Sequence, residues 1–139
     1  MLEAFMEQTP DGVFIKDLAG RYQYVNPALL QRAGRTLADV IGYTDAEIFP
    51  ESVAQQYTDA DQEVLCADKP ILYEERLPVG DNTLIFNVMK MPYRDEQGRI
   101  QGLLGMSRDI TEMRLAQEQV DHNYAMLREA ERIAKIGSW

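Results

Sequence analysis

The chain changes its pattern within the segment Gly102–Glu112, and this change limits the possible folds more than any other feature. Before the segment, short apolar or alternating runs are separated by turn residues, which predicts the strands of a curved sheet. After it, residues 112–136 contain neither proline nor glycine, which predicts one long helix. We therefore expect a folded domain over residues 1–111 and a helical rod over residues 112–134.

Five strands are predicted in the folded part. Two short candidates, 13–15 and 21–26, are separated by a turn and predict a hairpin. Three longer candidates follow at 71–79, 83–93 and 99–110. The linkers between these three contain Gly, Asp or Asn, which tolerate positive φ, so we expect antiparallel connections.

Several helices separate the two groups of strands. Asn26 and Pro27 are suited to the N-cap and first position of a helix, and Thr44 with Glu47 forms a capping box. Residues 52–68 are amphipathic at helical spacing. The expected fold class is α+β: a five-stranded antiparallel sheet with short helices on one face, followed by a C-terminal coiled-coil helix.

Composition narrows the classes of function. The 139 residues carry a net charge of −9, which disfavours nucleic acid as a partner because phosphate binding needs clustered Lys and Arg. No apolar run approaches the ~20 residues needed to span a bilayer. The single cysteine, Cys66, suits a reducing compartment. We therefore expect a cytoplasmic chain with no nucleic-acid partner and no membrane insertion.

The sequence contains no recognisable catalytic constellation. Cys66 and His122 are the only Cys and His, too few for a zinc site or a Cys–His dyad. The Gly-x-x-x-x-Gly-Lys loop that cradles phosphates is absent. Asp59, Asp61 and Glu63 alternate as in calcium loops, but no glycine follows at the required turn, so we interpret them as a solvated helix face. We expect neither a catalytic nor a metal site.

Several blocks of the sequence together resemble the PAS family. The opening blocks are Asp11-Gly12, Lys16–Leu18, Gly20–Tyr22, Tyr24–Pro27 and Gly42–Asp45. The closing blocks are Tyr93–Asp95, Gly98-Arg99 and Ser107–Glu112, the last with an Asp-Ile-Thr junction. Their order and separation resemble a PAS domain over residues 3–112. The resemblance implies a cupped sheet closed by helices, often around a small-molecule pocket.

The resemblance places this pocket on the concave side of the sheet. Strand parity there selects candidate lining residues, which are Phe14, Lys16, Tyr57, Phe86, Val88, Leu103 and Ser107. The alternative is that the apolar members simply fill the core, and a register error of one residue would turn each strand assignment to the other face. For Lys16 we favour a side chain that reaches solvent, or that pairs with Glu74 or Glu75, over one buried with another carboxylate or an anionic ligand.

The resemblance leaves the cofactor unknown. The branch of the family that forms a flavin adduct needs a cysteine after the short helices, and residues 45–50 contain none. Haem-binding relatives that use histidine place it in the long helix of the domain, whereas His122 lies in the rod as an exposed residue. We expect Cys66 to be a buried or partly exposed structural thiol. A noncovalent flavin, a small organic acid and no ligand at all remain open.

The rod is expected to form a parallel coiled-coil homodimer. Residues at alternating spacings of three and four define its seam, which consists of Met113, Ala116, Val120, Asn123, Leu127, Ala130 and Ala134. Asn123 in the seam would cost stability but fix the register. The alternative is a single helix that packs back on its own sheet.

These features predict a sensory and dimerisation module of a multidomain bacterial-type signalling protein, such as a histidine kinase or a diguanylate cyclase. It would sense a small molecule or a redox state and signal through the rod to an output domain in the same polypeptide. The expected coupling residues are Asp109, paired with an Arg or Lys of the sheet, Thr111, as the helix cap, and Glu112. The alternatives are a ligand-free spacer and dimerisation scaffold, or a redox sensor with noncovalent flavin. Residues 127–139 resemble the entry of a tandem PAS domain, so a following domain is expected to begin at residues 135–139.

Overall fold

A computed structural model describes residues 2–137 of the chain. Its elements in chain order are α1 (Leu2–Gln8), β1 (Gly12–Asp17), β2 (Tyr22–Val25), α2 (Pro27–Ala33), α3 (Leu37–Val40), α4 (Asp45–Ile48), α5 (Glu51–Ala67), β3 (Ile71–Val79), β4 (Asn82–Arg94), β5 (Ile100–Asp109) and α6 (Thr111–Gly137). The predicted α+β fold class is confirmed. The expected start of a following domain includes Ser138 and Trp139, which lie outside the described residues.

The five strands form one sheet in the order β2-β1-β5-β4-β3. Strand β1 pairs antiparallel with β2 and β5, and β5 pairs antiparallel with β4. The register aligns Gly105 of β5 with Phe14 of β1 on one side and with Lys90 of β4 on the other. Directly paired residues share a face, and so do residues two apart on a strand. Phe14, Lys16 and Lys90 therefore lie on the same face of the sheet.

The chain forms two compact units. The first comprises the residues up to Glu75 together with Phe86–Asp109, and the second comprises Arg76–Ile85 together with the residues from Ile110 onward. The core of the first unit consists of Phe14, Tyr22, Val25, Val40, Val64 and Leu103. Within this core, Phe14 and Tyr22 meet edge to face with their ring centroids 5.8 Å apart.

A buried asparagine organises the start of the first unit. The Asn26 side chain is fully buried, and its Oδ1 accepts from the N–H groups of Leu29 (3.2 Å) and Val13 (2.9 Å). Its Nδ2 donates to the carbonyl oxygens of Met6 and Asp11, both at 2.8 Å. One amide therefore caps α2, as predicted, and also joins it to β1 and α1.

Two glycines allow β1 to lie close against β5. A Cβ on Gly105 would overlap the ring of Phe14, and a Cβ on Gly102 would overlap the carbonyl oxygen of Lys16. Any larger residue would push β1 away or displace the Phe14 ring. The position of Phe14 above the sheet therefore depends on the absence of a side chain at Gly105.

The second unit is held together at the start of α6. The Thr111 hydroxyl oxygen accepts from the N–H of Ile85 at 2.8 Å, and the Ile110 N–H donates to the Ile85 carbonyl at 2.9 Å. An exposed ion pair joins Arg76 Nη2 and Glu118 Oε1 at 2.6 Å. The contact of Thr111 with strand β4 was not indicated by the sequence.

Helix α6 presents its side chains to solvent. Every residue from Leu115 to Ile136 is exposed, including His122, as predicted. The apolar seam residues Met113, Val120 and Leu127 are 60–63% exposed. Among the described helices, none has the combination of length and hydropathy required to cross a bilayer.

Candidate functional site

A cavity of about 120 Å³ lies within the first unit, between the concave face of the sheet and helices α2–α5. Its wall is largely apolar, and the aromatic members are Phe14, Tyr22, Phe49, Tyr57 and Tyr73. Four charged side chains also contribute to it: Lys16, Arg35, Glu75 and Lys90. A concave, mostly apolar space with a few convergent polar groups is the common form of a small-molecule site.

Lys16 is buried in the first unit, with 2% of its surface exposed. Its Nζ lies 2.5 Å from Asp45 Oδ2 and 2.7 Å from Asp61 Oδ2. The favoured interpretation, in which Lys16 reaches solvent or pairs with Glu74 or Glu75, is therefore wrong. Strand β1 lies between two other strands and Lys16 faces the helices, so the ammonium meets carboxylates supplied by those helices.

The two carboxylates come from α4 and α5. The capping box of Thr44 and Glu47 starts α4 at Asp45, which is buried. Asp61 follows Ala54 by seven residues, two helical turns, and both face inward. Interpreting Asp61 as part of a solvated helix face was wrong, because this helix face packs on the sheet. Its neighbours Asp59 and Glu63 are exposed, as that interpretation requires.

A second buried ammonium completes a neutral ion network. Lys90 is 3% exposed, and its Nζ lies 2.9 Å from Asp61 Oδ1. Asp61 therefore bridges Lys90 and Lys16, one carboxylate oxygen for each. Two ammonium and two carboxylate groups, those of Lys16, Lys90, Asp45 and Asp61, balance one another. We call these four residues the buried ion network.

Tyrosines border the network as neutral hydrogen-bonding groups. The Tyr22 hydroxyl donates to Asp45 Oδ1 at 2.6 Å, and burial together with the charge of Asp45 raises the pKa of Tyr22. Burial, assisted by the charge of Glu75, raises the pKa of Tyr57 to about 12 and also raises the pKa of Tyr73. All three phenols therefore stay protonated at neutral pH.

Lys90 retains hydrogen-bonding capacity toward the cavity. Within residues 2–137, Asp61 is its one hydrogen-bond partner. An ammonium has three N–H donors, so two of them have no acceptor in this part of the chain. The Nζ lies 5.6 Å from the centroid of the Tyr57 ring, 5.8 Å from that of Tyr73 and 5.9 Å from that of Phe14. The ammonium is therefore surrounded by aromatic rings but is short of acceptors.

Glu75 has unused hydrogen-bond acceptors, whereas Lys90 has unused donors. Its carboxylate is half-buried in the cavity wall and accepts no hydrogen bond from the residues that the structure describes. Burial raises the pKa of Glu75, and the positive charge of Lys90 opposes this shift. The cavity therefore contains free donors on Lys90 and a free acceptor on Glu75.

Most of the residues predicted to line a pocket are brought together here. Phe14, Lys16, Tyr57, Val88 and Ser107 all line the cavity. The other two predicted members are buried in different places. Phe86 lies under the guanidinium of Arg32, with 4.6 Å from its ring centroid to Cζ, and Leu103 belongs to the core.

Sequence reasoning missed several polar residues of the site, among them Asp45, Asp61, Tyr73 and Lys90. A signal for Lys90 was present, because it has the same strand parity as Phe86 and Val88 and therefore faces the same side. Asp61 also had a signal, because it lies seven residues after Ala54 and three before Val64, the spacing of one helix face. Asp45 had none. Which way a polar helix residue points depends on how the helix packs, and short helices carry little periodicity.

Arg32 connects the cavity wall with the end of β5. Its Nη1 donates to Ser107 Oγ at 2.5 Å. Burial lowers the pKa of Arg32, and the negative charges of Asp109 and Asp11 oppose this shift. Asp109 is the last residue of β5, so a cation of helix α2 lies within its electrostatic reach.

Two other predicted residues differ in their surroundings. Cys66 is exposed near the end of α5, two residues after the buried Val64, so the expectation of a buried or partly exposed thiol is corrected. Glu112 is exposed in the first turn of α6, where its charge is favourable beside the helix N-terminus.

The protein-family model for the PAS fold matches residues 6–115 of the sequence. This range covers most of the first unit and the start of α6. The sheet order and the helices above its concave face agree with this match. The chain belongs to the PAS family. The match indicates a PAS sensory domain.

Three similar proteins illustrate where such domains occur. The aerobic respiration control sensor protein ArcB of Escherichia coli is 26% identical over 121 residues, 86% of this chain and 16% of ArcB. A diguanylate cyclase of Vibrio cholerae is 32% identical over 111 residues, 78% of this chain and 35% of that protein. Among solved structures, the VqmA–ligand–DNA complex of Vibrio cholerae has a TM-score of 0.69 at 29% identity, covering 80% of this chain and 52% of VqmA. The chain therefore spans 16–35% of these two curated relatives.

Proposed function

We propose that this PAS domain is the sensory and dimerisation module of a cytoplasmic multidomain signalling protein, and that it senses a small organic molecule held in the cavity. The observation that carries the proposal is Lys90, a buried ammonium with two N–H groups that find no acceptor in the described chain. A buried charge with incomplete hydrogen bonding is costly unless a ligand or water completes it. The similarity to VqmA, solved with a ligand, supports the same function.

The size of the cavity favours a one-ring ligand. Its volume is about 120 Å³, close to the ~150 Å³ of an engineered apolar cavity that admits benzene. A flavin carries three fused rings and would need a larger space. We therefore favour a small organic molecule over a noncovalent flavin.

Mass spectrometry of the small-molecule fraction released on denaturation tests this proposal. We expect wild-type protein to release a compound that Lys90→Met protein, purified in the same way, does not retain. The matched control is Lys69→Met, which removes an exposed lysine and is expected to retain the compound. A wild-type protein that releases nothing, and whose melting temperature is unchanged by a library of one-ring compounds, would support a ligand-free spacer.

We propose that the signal leaves the cavity through Ser107, Arg32 and Asp109. Ser107 lines the cavity and accepts a hydrogen bond from Arg32, while the charge of Asp109 acts on the same guanidinium. A ligand that engaged the Ser107 hydroxyl would compete for this hydrogen bond. The change would reach Asp109, two residues before the start of α6. An output domain after α6, such as a kinase or, as in the Vibrio cholerae relative, a diguanylate cyclase, would receive it.

Asp109→Ala is expected to uncouple sensing from output without unfolding the domain. The change removes a charge at an exposed position, so the free energy of unfolding should fall by no more than about 1 kcal/mol. In the full-length protein, we expect the ligand-dependent difference in output activity to fall by at least about half. The reason is that Arg32 would lose the nearby negative charge that offsets the cost of its partial burial. Asp59→Ala, at another exposed aspartate, is the control. An unchanged response in Asp109→Ala would make the junction a simple linker.

We propose that α6 forms a homodimer through the predicted seam. The supporting observation is the exposure of Met113, Val120 and Leu127, apolar residues spaced by seven along one helix face. Burying them against a second copy removes apolar surface from water. The polar Asn123 between them would select one register.

Ala130→Glu is expected to weaken this dimer. Ala130 lies in the seam, where the introduced carboxylate would be buried beside the same carboxylate of the second copy. The dissociation constant of the dimer should therefore rise at least about tenfold. Ala125→Glu introduces the same residue on the opposite face of α6 and should leave the dissociation constant unchanged. Analytical ultracentrifugation over a concentration series measures both. Equal effects of the two substitutions would contradict the predicted seam.

A further inference from the structure

Two charged groups of the cavity wall, Lys90 and Glu75, keep unused hydrogen-bonding capacity among the residues that the structure describes. Lys90 offers two N–H donors that Asp61 does not use, and Glu75 offers carboxylate oxygens that no described residue engages. Both side chains line the same cavity of about 120 Å³. A one-ring ligand that satisfies both groups must therefore carry both an acceptor and a donor.

The charges of the site favour a neutral ligand. The buried ion network is balanced within itself, because it joins two ammonium groups to two carboxylates: Asp61 pairs with both lysines, and Asp45 pairs with Lys16. Of the two remaining charged side chains, Glu75 is anionic and Arg35 is cationic. The Arg35 guanidinium is already engaged, donating to the carbonyl of Ile48 at 3.1 Å and lying 5.4 Å from the Phe49 ring centroid. A ligand with a full charge would upset this balance in a largely apolar space.

The shape of the cavity favours a planar ring. Phe14, Tyr57 and Tyr73 line it around Lys90, and its volume of about 120 Å³ suits one ring with small substituents. Apolar contacts with these rings would supply most of the affinity. The two polar groups would then decide which rings are accepted.

We propose that the cavity binds neutral one-ring compounds with a carbonyl acceptor beside an N–H donor, that is, cyclic amides and oxo-substituted nitrogen heteroaromatics. The carbonyl oxygen accepts from Lys90, the N–H donates to Glu75, and the ring lies among the aromatic side chains. This inference rests on the proposed function and names the ligand class of the same site. A compound lacking either polar group leaves the buried ammonium of Lys90 or the half-buried carboxylate of Glu75 without its partner and is rejected.

The test compares four probes on the purified protein by isothermal titration calorimetry. The probes are 2-pyridone, its N-methyl derivative, toluene and benzoate, which present the amide pair, the carbonyl alone, no polar group and an anion. We expect 2-pyridone to bind at least about tenfold more tightly than each of the other three, because every other probe leaves Lys90 or Glu75 unmatched or adds a charge.

Variants assign the two ends of the probe. Glu75→Met is expected to weaken 2-pyridone but to remove most of its advantage over the N-methyl derivative, since the N–H then has no acceptor. Glu74→Met, at the adjacent exposed position of the same strand, is the matched control and should keep that advantage. Circular dichroism checks that both variants are folded. Lys90→Met is not used in this comparison, because this substitution would also disturb the buried ion network.

The outcomes separate this inference from the proposed function. Benzoate binding most tightly would overturn the neutral class, and toluene binding as tightly as 2-pyridone would overturn the polar pairing. Both results would leave a small-molecule sensor standing. An advantage of 2-pyridone that persists in Glu75→Met would also overturn the assigned pairing. Folded protein that binds none of the four probes would count against this ligand class, and the compound released on denaturation would still test the proposed function.

Discussion

Asp61→Ala is expected to destabilise the first unit by about 3–5 kcal/mol, the usual cost of removing one partner from a buried ion pair. Asp61 is the single hydrogen-bond partner of Lys90 in the described chain and one of two for Lys16. Its loss leaves two ammonium groups, 2% and 3% exposed, with one carboxylate between them. Urea denaturation followed by circular dichroism measures the free energy of unfolding.

The matched control for this experiment is Asp59→Ala. Asp59 lies on the same helix, is exposed and accepts a hydrogen bond from Gln55 at 2.7 Å, so its replacement should change the free energy of unfolding by no more than about 0.5 kcal/mol. Equal stability of the Asp61→Ala and wild-type proteins would mean that the two lysines do not depend on this carboxylate. This result would contradict the buried ion network.

Gly105→Ala is expected to lower the free energy of unfolding by about 1–3 kcal/mol, the range for an overpacked core, and to reduce ligand binding. The added methyl group overlaps the ring of Phe14. Because this ring lines the cavity, its displacement changes the space beside Lys90. Unfolding in urea and calorimetric titration with 2-pyridone give the two readouts.

Gly102→Ala provides the comparison. Its methyl group overlaps the carbonyl oxygen of Lys16, a backbone atom that cannot rotate away, so we expect a loss at the upper end of the same ~1–3 kcal/mol range. The Phe14 ring is not touched, and the binding of 2-pyridone by the remaining folded protein should be retained. If both variants bind equally well, the Phe14 ring does not shape the ligand site.

Local sequence patterns were sufficient for most elements of this fold. The N-cap of Asn26, the capping box of Thr44 and Glu47, and the absence of Pro and Gly in α6 are short-range signals, and each element begins near the predicted residue. Strand parity also placed Phe14, Val88 and Ser107 on the cavity side, because alternation along a strand needs only the sequence.

The charged part of the site depended on tertiary structure. Lys16 is 29 residues from Asp45 and 45 residues from Asp61, and no local pattern indicates that these side chains meet. The prediction that Lys16 reaches solvent followed from the usual cost of burying an ammonium, and it was wrong because two helices supply carboxylates against the sheet.

The sequence by itself determined most of the helices and strands in their order, the PAS family and which residues of a strand share a face, since these follow from short-range patterns. Only the tertiary structure decided that Lys16, Asp45, Asp61 and Lys90 form one neutral network and that Lys90 and Glu75 keep hydrogen-bonding groups free in the same cavity. The physical reason is that the energy of a buried charge depends on its neighbours in space, and packing chooses those neighbours.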